Sequence, residues 1–456
     1  MTTVRRKNRI RALKGLVAGL PLAGLTLYLL LVGPANGWRC RRGLLDYLRG
    51  FPGPPLTPSL PPFLPGNRVT LLVDGDQALP ALLTAIRQAR HSIHWEVMLF
   101  APDASGERVA EALMEAAQRG VQVRLLLDGE FTRKGDPLDW LLRLGRDDGG
   151  RLDRLIARMR TSGVQVLDSY PPTRPPLPGL DPELARDQER LNRQTCLTFN
   201  HHDHRKILVV DGEVAFVGGM NVSEAYLYET PEAGWHDLMV RLEGPAVREL
   251  DRLFAQRWQI SGGDLPDVDD PAPSPSSTPD GPSAVQVLAQ SPLRGEILTA
   301  YLTAIREAQE SIWVENPYVN YDPLLEALME AARRGVQVTM IVPGRHNDEP
   351  LLHWMLQRRY AALLAAGVAL YEYPDRMSHG KVMLVDDRWV TVGSFNLNHR
   401  SVSHDLEANI AIEDPDFARR VRQTLFEPDR ARSRRITAPP PFAWWALILE
   451  LLVPFT

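Results

Sequence analysis

The feature that most constrains the fold of this chain is an internal repeat. Residues 111–123 read EALMEAAQRGVQV and residues 326–338 read EALMEAARRGVQV, so the two stretches differ only at Gln118 and Arg333. Such self-similarity is typical of a duplicated structural unit. We therefore expect two copies of one domain, which 456 residues can accommodate because a domain commonly has roughly 100–200 residues.

Each copy shows the hydrophobic pattern of alternating helices and strands. LTAIR at 83–87 recurs at 302–306, and HSIHWE at 91–96 matches ESIWVE at 310–315. The repeated stretches have apolar residues at helical spacing, and the continuous apolar runs that follow are typical of strands covered on both faces. Alternation of this kind predicts an α/β architecture, present twice.

Proline-rich and polar segments separate the two copies from the rest of the chain. The predicted order is a basic segment (1–14), an apolar anchor (15–32), a Pro-rich stem (33–67), a first domain (68–261), a linker (262–283), a second domain (284–430) and a basic, apolar tail (431–456). The first domain has about 29 extra residues near 170–200. We expect a surface flap there, either a passive loop or a lid.

The N-terminal region favours attachment to a membrane. The run 15–32 is uncharged, and as a helix its length is about 27 Å, close to the ~30 Å of a bilayer core. We therefore predict an N-terminal transmembrane helix. A cleaved signal peptide is the alternative interpretation. Arginines on both sides of the run leave the membrane face of the protein open.

The C-terminal region has a second apolar segment. The stretch 442–453, FAWWALILELLV, is too short to span a bilayer at about 18 Å of helix. Paired tryptophans next to a basic run indicate a helix that lies in the membrane interface. A helix docked on the protein's own surface is the alternative interpretation.

Composition argues against two classes of function. The formal charge is −4 and the pI is about 6.3, so there is no global basic field of the kind that attracts nucleic acid. Cys40 and Cys196 are the only cysteines, which excludes a disulfide framework and a C-x-x-C zinc pattern.

One motif, H-x-K-x4-D-x6-G-x2-N, occurs once in each copy. Its members are His204, Lys206, Asp211, Gly218 and Asn221 in the first copy, and His379, Lys381, Asp386, Gly393 and Asn396 in the second. The histidines and the aspartate at 201–203 have no equivalent ligands in the second copy. We therefore predict no metal site and no cofactor.

The residue types of the motif suit a phosphodiester. Histidine and lysine two apart on a strand would face the same side, and an ammonium neutralises a phosphate oxygen. Glycine lets a backbone approach closely, and the asparagine amide is a donor. Two facing sets could hold one phosphate without a metal. Asp211 and Asp386 are candidate catalytic residues because they belong to the motif, and together with the motif histidines and lysines they form the catalytic set. Their position after each apolar run nevertheless favours a structural role.

The duplicated motif resembles the HKD signature of the phospholipase D superfamily, and the match covers residues 68–430. The sequence around the motif is most similar to that of bacterial cardiolipin synthases. The similar stretches are FVGGMNV, WHD and RLEGP in the first copy and VGSFNLNHRS and LEAN in the second. SHDLE and the single N-terminal apolar segment depart from many members. The resemblance implies two phospholipase D-like α/β/α sandwich domains with the active site at their interface.

The resemblance also implies a two-step displacement through a phosphohistidine. His204 is expected to be the nucleophile and His379 the general acid and base, with the reverse assignment open. The two imidazoles should start in different protonation states, because one attacks while the other protonates the leaving alcohol. Asp237 and Glu407 are expected to orient the imidazoles. The residues expected to contact the phosphate are Asn221, Ser394 and Asn396.

The function implied is that of a cardiolipin synthase, which joins two phosphatidylglycerols and releases glycerol. A hydrolytic phospholipase D that forms phosphatidic acid is the alternative, since motifs do not reveal which nucleophile reaches the intermediate. A nuclease of the superfamily and an inactive membrane scaffold are further alternatives. We expect a phospholipid substrate, no nucleic-acid partner and a location at the bacterial plasma membrane, with the oligomeric state open.

Overall fold

The computed structural model describes residues 56–57, 59–134, 150–169, 176, 180, 182–194, 201–228, 234–264 and 281–441. The predicted anchor (15–32), the apolar stretch at 442–456 and most of the linker lie outside these residues. Among the described residues, no helix combines the length and the apolar character that crossing a bilayer requires.

The first half is built on a mixed sheet. Its strands are β2 (Arg68–Val73), β3 (Ser92–Val97), β4 (Gln122–Leu127), β5 (Gln165–Asp168), β6 (Ile207–Val210), β7 (Val214–Gly218) and β8 (Leu238–Glu243). The order across the sheet is β2-β8-β7-β6-β3-β4-β5. Strands β3, β4 and β5 run parallel, whereas β6 is antiparallel to both β3 and β7.

The second half repeats this arrangement in a larger sheet. Its strands are β1 (Leu64–Gly66), β9 (Gly281–Ser291), β10 (Arg294–Gly295), β11 (Ser311–Glu315), β12 (Gln337–Pro343), β13 (Ala369–Tyr373), β14 (Val382–Val385), β15 (Trp389–Gly393), β16 (Glu407–Glu413) and β17 (Arg434–Ile436). The order is β1-β9-β16-β15-β14-β11-β12-β13-β17, with β10 paired to β9.

Helices connect the strands in both halves. The first half contains α1 (Gly75–Gln88), α2 (Ala104–Gln118), α3 (Gly129–Lys134), α4 (Arg151–Thr161), α5 (Pro182–Gln194) and α6 (Ala246–Ile260). The second contains α7 (Glu296–Glu307), α8 (Asp322–Arg333), α9 (Pro350–Gln357), α10 (Tyr360–Ala365), α11 (His399–Ser403), α12 (Pro415–Val421), a π-helix (Arg422–Phe426) and α13 (Glu427–Arg432). The predicted duplicated order of helix, strand, helix and strand is confirmed.

The two sheets pack against each other, and this contact positions the two motifs. Along β6, Leu208 and Val210 join the core under the helices of the first half. Ile207 and Val209 join a different core, which contains Ile410 of the second sheet. The strand is apolar throughout because both of its faces are covered, one by helices of the first half and the other by α6 together with the second sheet.

Several predicted boundaries need correction. Strand β1 lies within the predicted stem (33–67) but pairs with β9, and β17 lies within the predicted tail (431–456) but pairs with β13. Both segments therefore contribute edge strands to the second sheet. Part of the basic run of the tail also contacts the protein itself, since the exposed side chain of Arg434 pairs with Glu372.

The extra segment of the first half is only partly a flap. Residues Pro182–Gln194 form α5, in which Gln188 and Leu191 are buried. This helix lies against α6. The apolar and amide side chains on one face of the segment explain why it packs as a helix, which the charged composition alone did not indicate. The rest of residues 170–200 falls largely outside the described residues.

Candidate active site

The start of each motif is held by the chain of the other half. The backbone N–H of His204 donates to the carbonyl of Leu406 at 2.9 Å, and the N–H of His379 donates to the carbonyl of His236 at 2.6 Å. Leu406 and His236 each come directly before an expected orienting acid. Pairing across the interface therefore sets each catalytic histidine beside the carboxylate of the opposite half.

The orienting carboxylates are exchanged between the halves. Nδ1 of His204 lies 2.9 Å from Oε2 of Glu407, and Nδ1 of His379 lies 2.7 Å from Oδ2 of Asp237. An ionised carboxylate only accepts hydrogen bonds, so each Nδ1 carries hydrogen. This tautomer leaves Nε2 of each ring as the atom available for attack or proton transfer.

Two lysines complete the charged centre of the site. Nζ of Lys206 donates to the carbonyl of His204 and Nζ of Lys381 donates to the carbonyl of His379, each at 2.6 Å. The strands begin at Ile207 and Val382, so each histidine and lysine lies just before the strand and not on it, although the two side chains still lie next to each other. The ammonium folds back towards its own histidine.

Burial and the clustered cations shift the pKa values of this centre downwards. Burial, with Lys206 and Lys381, holds the pKa of His204 well below 6.5. Burial and Lys381 lower the pKa of His379 to about 4. Burial lowers the pKa of Lys206 to about 7 and that of Lys381 to about 8.

These pKa shifts bear on the expected protonation of the histidines. The lowered pKa of each imidazole disfavours a proton on either ring of the free enzyme near neutral pH, whereas one proton shared between the rings was expected. Each is desolvated and close to positive charge, which disfavours a second proton. A phosphodiester anion bound among His204, His379 and the lysines would favour that proton. Substrate binding and protonation of His379 are therefore coupled.

The predicted phosphate ligands have different surroundings. Oδ1 of Asn221 accepts from the backbone N–H of Leu99 at 3.2 Å, which leaves the amide Nδ2 as a donor. The backbone of Asn396 donates to Oγ of Ser401, and its buried Oδ1 has no hydrogen-bond partner among the described residues. Both side chains remain candidates for the substrate site.

Ser394 has another role than the one predicted. Its hydroxyl donates to Glu407, as does that of Ser401. With the imidazole of His204, these hydroxyls surround a carboxyl group that is fully buried. Burial and the charge of Asp405 raise the pKa of Glu407, and the hydroxyl donors and Lys206 oppose that rise. Ser394 therefore orients and stabilises the carboxylate, and its hydroxyl hydrogen is engaged by Glu407.

Asp211 and Asp386 are not in the catalytic centre, which corrects their place in the catalytic set. They follow β6 and β14 at the ends away from the histidines, with φ of 54° and 51°. Oxygens of Asp211 accept from the backbone N–H groups of Arg90, His91 and Ser92 at 2.9, 2.7 and 2.9 Å. Asp386 accepts from those of Gln309, Glu310 and Ser311 at 2.9, 2.8 and 2.9 Å. Each aspartate joins two strands at a turn.

The motif glycines allow close approach between strands. A Cβ on Gly218 would lie 2.4 Å from the carbonyl oxygen of Leu238, and one on Gly393 would lie 2.3 Å from that of Ala408. The expected close approach is therefore to the neighbouring strand, which carries the orienting acid, and not to a phosphate.

Sequence reasoning missed the aromatic rings around His379. The centroids of Tyr226 and Trp235 each lie 5.2 Å from that of the imidazole, and that of Tyr318 lies 5.9 Å away. Oη of Tyr318 donates to Oδ2 of Asp348 at 2.7 Å. Trp235 precedes the histidine of WHD, which was the available signal. The other residues come from distant loops.

Comparison with known proteins identifies the family. The family described as "Cardiolipin synthase, PLD-like domain" matches residues 82–258 and 301–428. Cardiolipin synthase A of Erwinia tasmaniensis is 33% identical over 402 residues, which cover 86% of this chain and 75% of that protein. The chain belongs to the cardiolipin synthase family of phospholipase D-like proteins. The predicted superfamily membership is thereby confirmed.

Further comparisons agree with this family assignment. Cardiolipin synthase A of Serratia proteamaculans is 33% identical over 363 residues, covering 77% of this chain and 67% of the relative. Among solved structures, phosphatidylserine synthase of Haemophilus influenzae has a TM-score of 0.59 at 16% identity and covers 91% of this chain and 96% of its own. This likeness shows that the Haemophilus influenzae protein and the present chain share a fold.

The exchanged carboxylates predict a large loss of turnover when Glu407 becomes Gln. The amide keeps the size of the side chain but its NH2 group can hold His204 in the wrong tautomer, so we expect kcat to fall by about 10²–10⁴. Glu413→Gln, at the exposed end of the same strand, is the matched control and should retain wild-type kcat. Equal turnover of the two variants would contradict the orienting role of Glu407.

The lysine pKa values predict an alkaline limb in kcat/KM. The pKa values of about 7 for Lys206 and about 8 for Lys381 mean that each ammonium loses its charge as pH rises through that region. Because kcat/KM reports the free enzyme, it should fall across this range, as measured in a pH series at constant ionic strength. A limb near the ordinary lysine value of about 10.4 would contradict the lowered pKa values.

Asp386→Asn should reduce stability without removing the chemistry. The variant weakens three bonds from backbone N–H groups, so we expect a loss of about 1–3 kcal/mol in the free energy of unfolding. Denaturant unfolding and turnover per folded molecule measure the two effects separately. A folded variant without turnover would return Asp386 to the catalytic set.

Proposed function

We propose that this protein is a phosphatidyltransferase that makes cardiolipin from two phosphatidylglycerol molecules. The observation that carries the proposal is the pair of buried imidazoles, each held at Nδ1 by a carboxylate of the opposite half and each next to a lysine. The relatives named cardiolipin synthase A support the same reaction class.

The first step forms a covalent intermediate. Nε2 of His204 attacks phosphorus of the donor lipid, and the bond from phosphorus to the glycerol headgroup breaks. Nε2–H of His379 protonates the departing alkoxide, so that glycerol leaves neutral and a phosphatidyl group remains on His204. The ammonium groups of Lys206 and Lys381 stabilise the charge on the non-bridging oxygens.

The second step consumes the intermediate. His379 is now neutral and takes a proton from a headgroup hydroxyl of the acceptor lipid. The hydroxyl oxygen attacks phosphorus, the bond between phosphorus and His204 breaks, and cardiolipin forms. The proton that His379 gains restores the acid needed for the next donor, so the two steps balance.

The surroundings of His379 favour an alcohol over water as the acceptor. Tyr226, Trp235 and Tyr318 present aromatic rings to the imidazole that activates the acceptor. Aromatic walls leave little room for ordered water at that ring, and exclusion of water suppresses hydrolysis of a reactive intermediate. These contacts support transfer rather than release of phosphatidic acid.

A polar pair next to those rings suits a glycerol headgroup. Tyr318 donates to the carboxylate of Asp348, which lies on an exposed loop. The remaining lone pairs of a carboxylate can accept hydrogen bonds from hydroxyl groups of a headgroup. This pair supports phosphatidylglycerol as the lipid whose headgroup is placed beside His379.

We further propose that the protein works at the plasma membrane of a bacterial cell. The support comes from the sequence, in which the uncharged run 15–32 has the length of a bilayer-spanning helix and the stretch 442–453 has the composition of an interfacial helix. Phospholipid substrates are consistent with that location.

Product analysis tests the proposed reaction. The full-length protein in detergent is given phosphatidylglycerol that carries a labelled headgroup as its only lipid. We expect cardiolipin and labelled glycerol in equal amounts. Phosphatidic acid with glycerol would instead identify a hydrolytic phospholipase D. Absence of both products would overturn the proposal, provided that the protein is folded.

The nucleophile can be assigned in the same preparation. With lipid labelled at phosphorus and a rapid alkaline quench, which preserves phosphohistidine, label should remain on the wild-type protein. Peptide mapping should place it on His204. His204→Gln should lose all labelling. Label on His379 would reverse the two roles.

A further inference from the structure

A buried charged cluster joins the two halves beside His379. Nδ1 of His236 lies 2.8 Å from Oδ1 of Asp74, and Nε2 lies 2.9 Å from Oδ2 of Asp429. The imidazole is buried, with 3% of its residue surface exposed. Carboxylates accept but do not donate, so both ring nitrogens carry hydrogen. His236 is therefore an imidazolium between two carboxylates.

Other groups close the cluster on its remaining sides. Oε1 of Glu315 lies 3.7 Å from Nε2 of His236 and accepts from Oγ of Ser378 at 2.6 Å. The ring of Tyr373 stacks on the imidazole with centroids 5.0 Å apart and planes inclined by 1°. Arg376 pairs with Asp74. The first half supplies His236 and Asp74, and the second half supplies the others.

The first half contains a matching cluster with a different cation. Glu96, which aligns with Glu315 in the repeat, accepts from Nη2 of Arg205 at 2.7 Å. Arg205 also binds Asp203 at 3.0 Å, and Nε of Arg257 binds the same carboxylate at 3.0 Å. A guanidinium from the same half thus pairs with the buried acid near the end of β3.

The second copy lacks this cation in its own sequence. Gly380 stands where the first copy has Arg205, each directly after the motif histidine. The positive charge near Glu315 comes instead from His236, across the interface. This exchange gives a reason for the matching glutamates of HSIHWE and ESIWVE, whose role the motif chemistry leaves open.

His236 is linked directly to the catalytic machinery. It precedes Asp237, whose carboxylate holds Nδ1 of His379. Its carbonyl accepts from the N–H of His379 at 2.6 Å, and its N–H donates to the carbonyl of Met377 at 2.7 Å. Displacement of His236 would therefore move both the orienting carboxylate and the backbone of the acid and base.

We propose that the His236 imidazolium, clamped by Asp74 and Asp429, is a positioning residue for His379. It places beside Glu315 a cation in the role that Arg205 has beside Glu96, and so fixes the relative placement of the halves at the acid–base side of the site. The proposal rests on the proposed function, because it concerns how His379 performs both proton transfers.

Three side chains of this cluster have the donor atoms of a possible metal site. The ligand atoms of His236, Glu315 and Asp429 lie within 4.8 Å of one another. Both imidazole nitrogens already face carboxylates at hydrogen-bond distance, so a metal would have to displace the proton on Nε2. The geometry favours the proton over a metal ion.

A substrate with an activated leaving group distinguishes misplacement of His379 from a general loss of folded protein. p-Nitrophenol needs no acid to depart, so a phosphatidyl-p-nitrophenol tests attack by His204 alone in the first turnover. Transfer of the phosphatidyl group to phosphatidylglycerol still needs His379 as base. In His236→Gln we expect a burst of p-nitrophenol within about threefold of the wild-type rate, followed by turnover reduced at least about tenfold. The phosphohistidine should accumulate.

His94→Gln is the matched control. His94 is also buried, lies 2.6 Å from Asp251 and stacks on Phe254, but it is on β3 away from the motif histidines. The substitution should lower stability, but the ratio of the burst rate to the steady-state turnover rate should stay at its wild-type value. A similar accumulation of intermediate in this variant would show a general effect of lost buried contacts and would overturn the proposal.

Asp429→Asn is the second variant for this test. If His236→Gln does not fold, Asp429→Asn retains the imidazole and should show the same change in ratio, to a smaller extent. Wild-type turnover in a folded His236→Gln, or stoichiometric metal in the purified protein, would overturn the proposal. A folded wild-type protein that releases no p-nitrophenol and forms no cardiolipin would instead contradict the proposed function.

Discussion

The arrangement depends on the exchange of carboxylates between the two halves. His204 is held by Glu407 and His379 by Asp237, so neither half by itself supplies a carboxylate to its own catalytic histidine. Glu407 and Asp237 are fully buried, and an isolated buried carboxylate is costly unless it is paired. Packing of the sheets and completion of the site are therefore one requirement.

Electrostatics within the site prepare it for an anion. Two lysines and two imidazoles share a buried volume, which lowers the pKa of all four groups. A bound phosphodiester monoanion favours the charged forms of these imidazoles and lysines. Binding of the substrate therefore promotes proton uptake, and protonation strengthens binding. The apolar faces of the sheets provide the low-dielectric surroundings that make this coupling strong.

The two halves are similar in backbone but differ around their histidines. Three aromatic rings surround His379, two from the β7–β8 connection and one from the segment after β11, whereas serine hydroxyls and Lys206 surround the Glu407–His204 pair. Near the ends of β3 and β11, the buried acid Glu96 pairs with Arg205 of its own half, whereas Glu315 lies 3.7 Å from His236 of the opposite half. Duplication therefore supplied a common frame on which the two histidines acquired different surroundings.

Much of the fold could be predicted from the sequence because its signals are local. Periodicity separated helices from strands, and repetition of EALMEAA-x-RGVQV showed two copies of one unit. Local patterns failed at β1 and β17, since a short strand at a sheet edge carries little periodicity and its partner is distant in the chain. Helix α5 was missed because charged residues obscure the few that are buried.

The sequence by itself determined the duplicated α/β frame and the identity of the histidines, lysines and acids, because these follow from spacing and residue type. Only the tertiary structure decided which acid serves which histidine, since the bonded pairs are 203 and 142 residues apart. It also removed Asp211 and Asp386 from the chemistry, assigned Ser394 to Glu407, and brought the aromatic rings to His379. Contacts of this kind depend on how the two sheets dock, which no local pattern encodes.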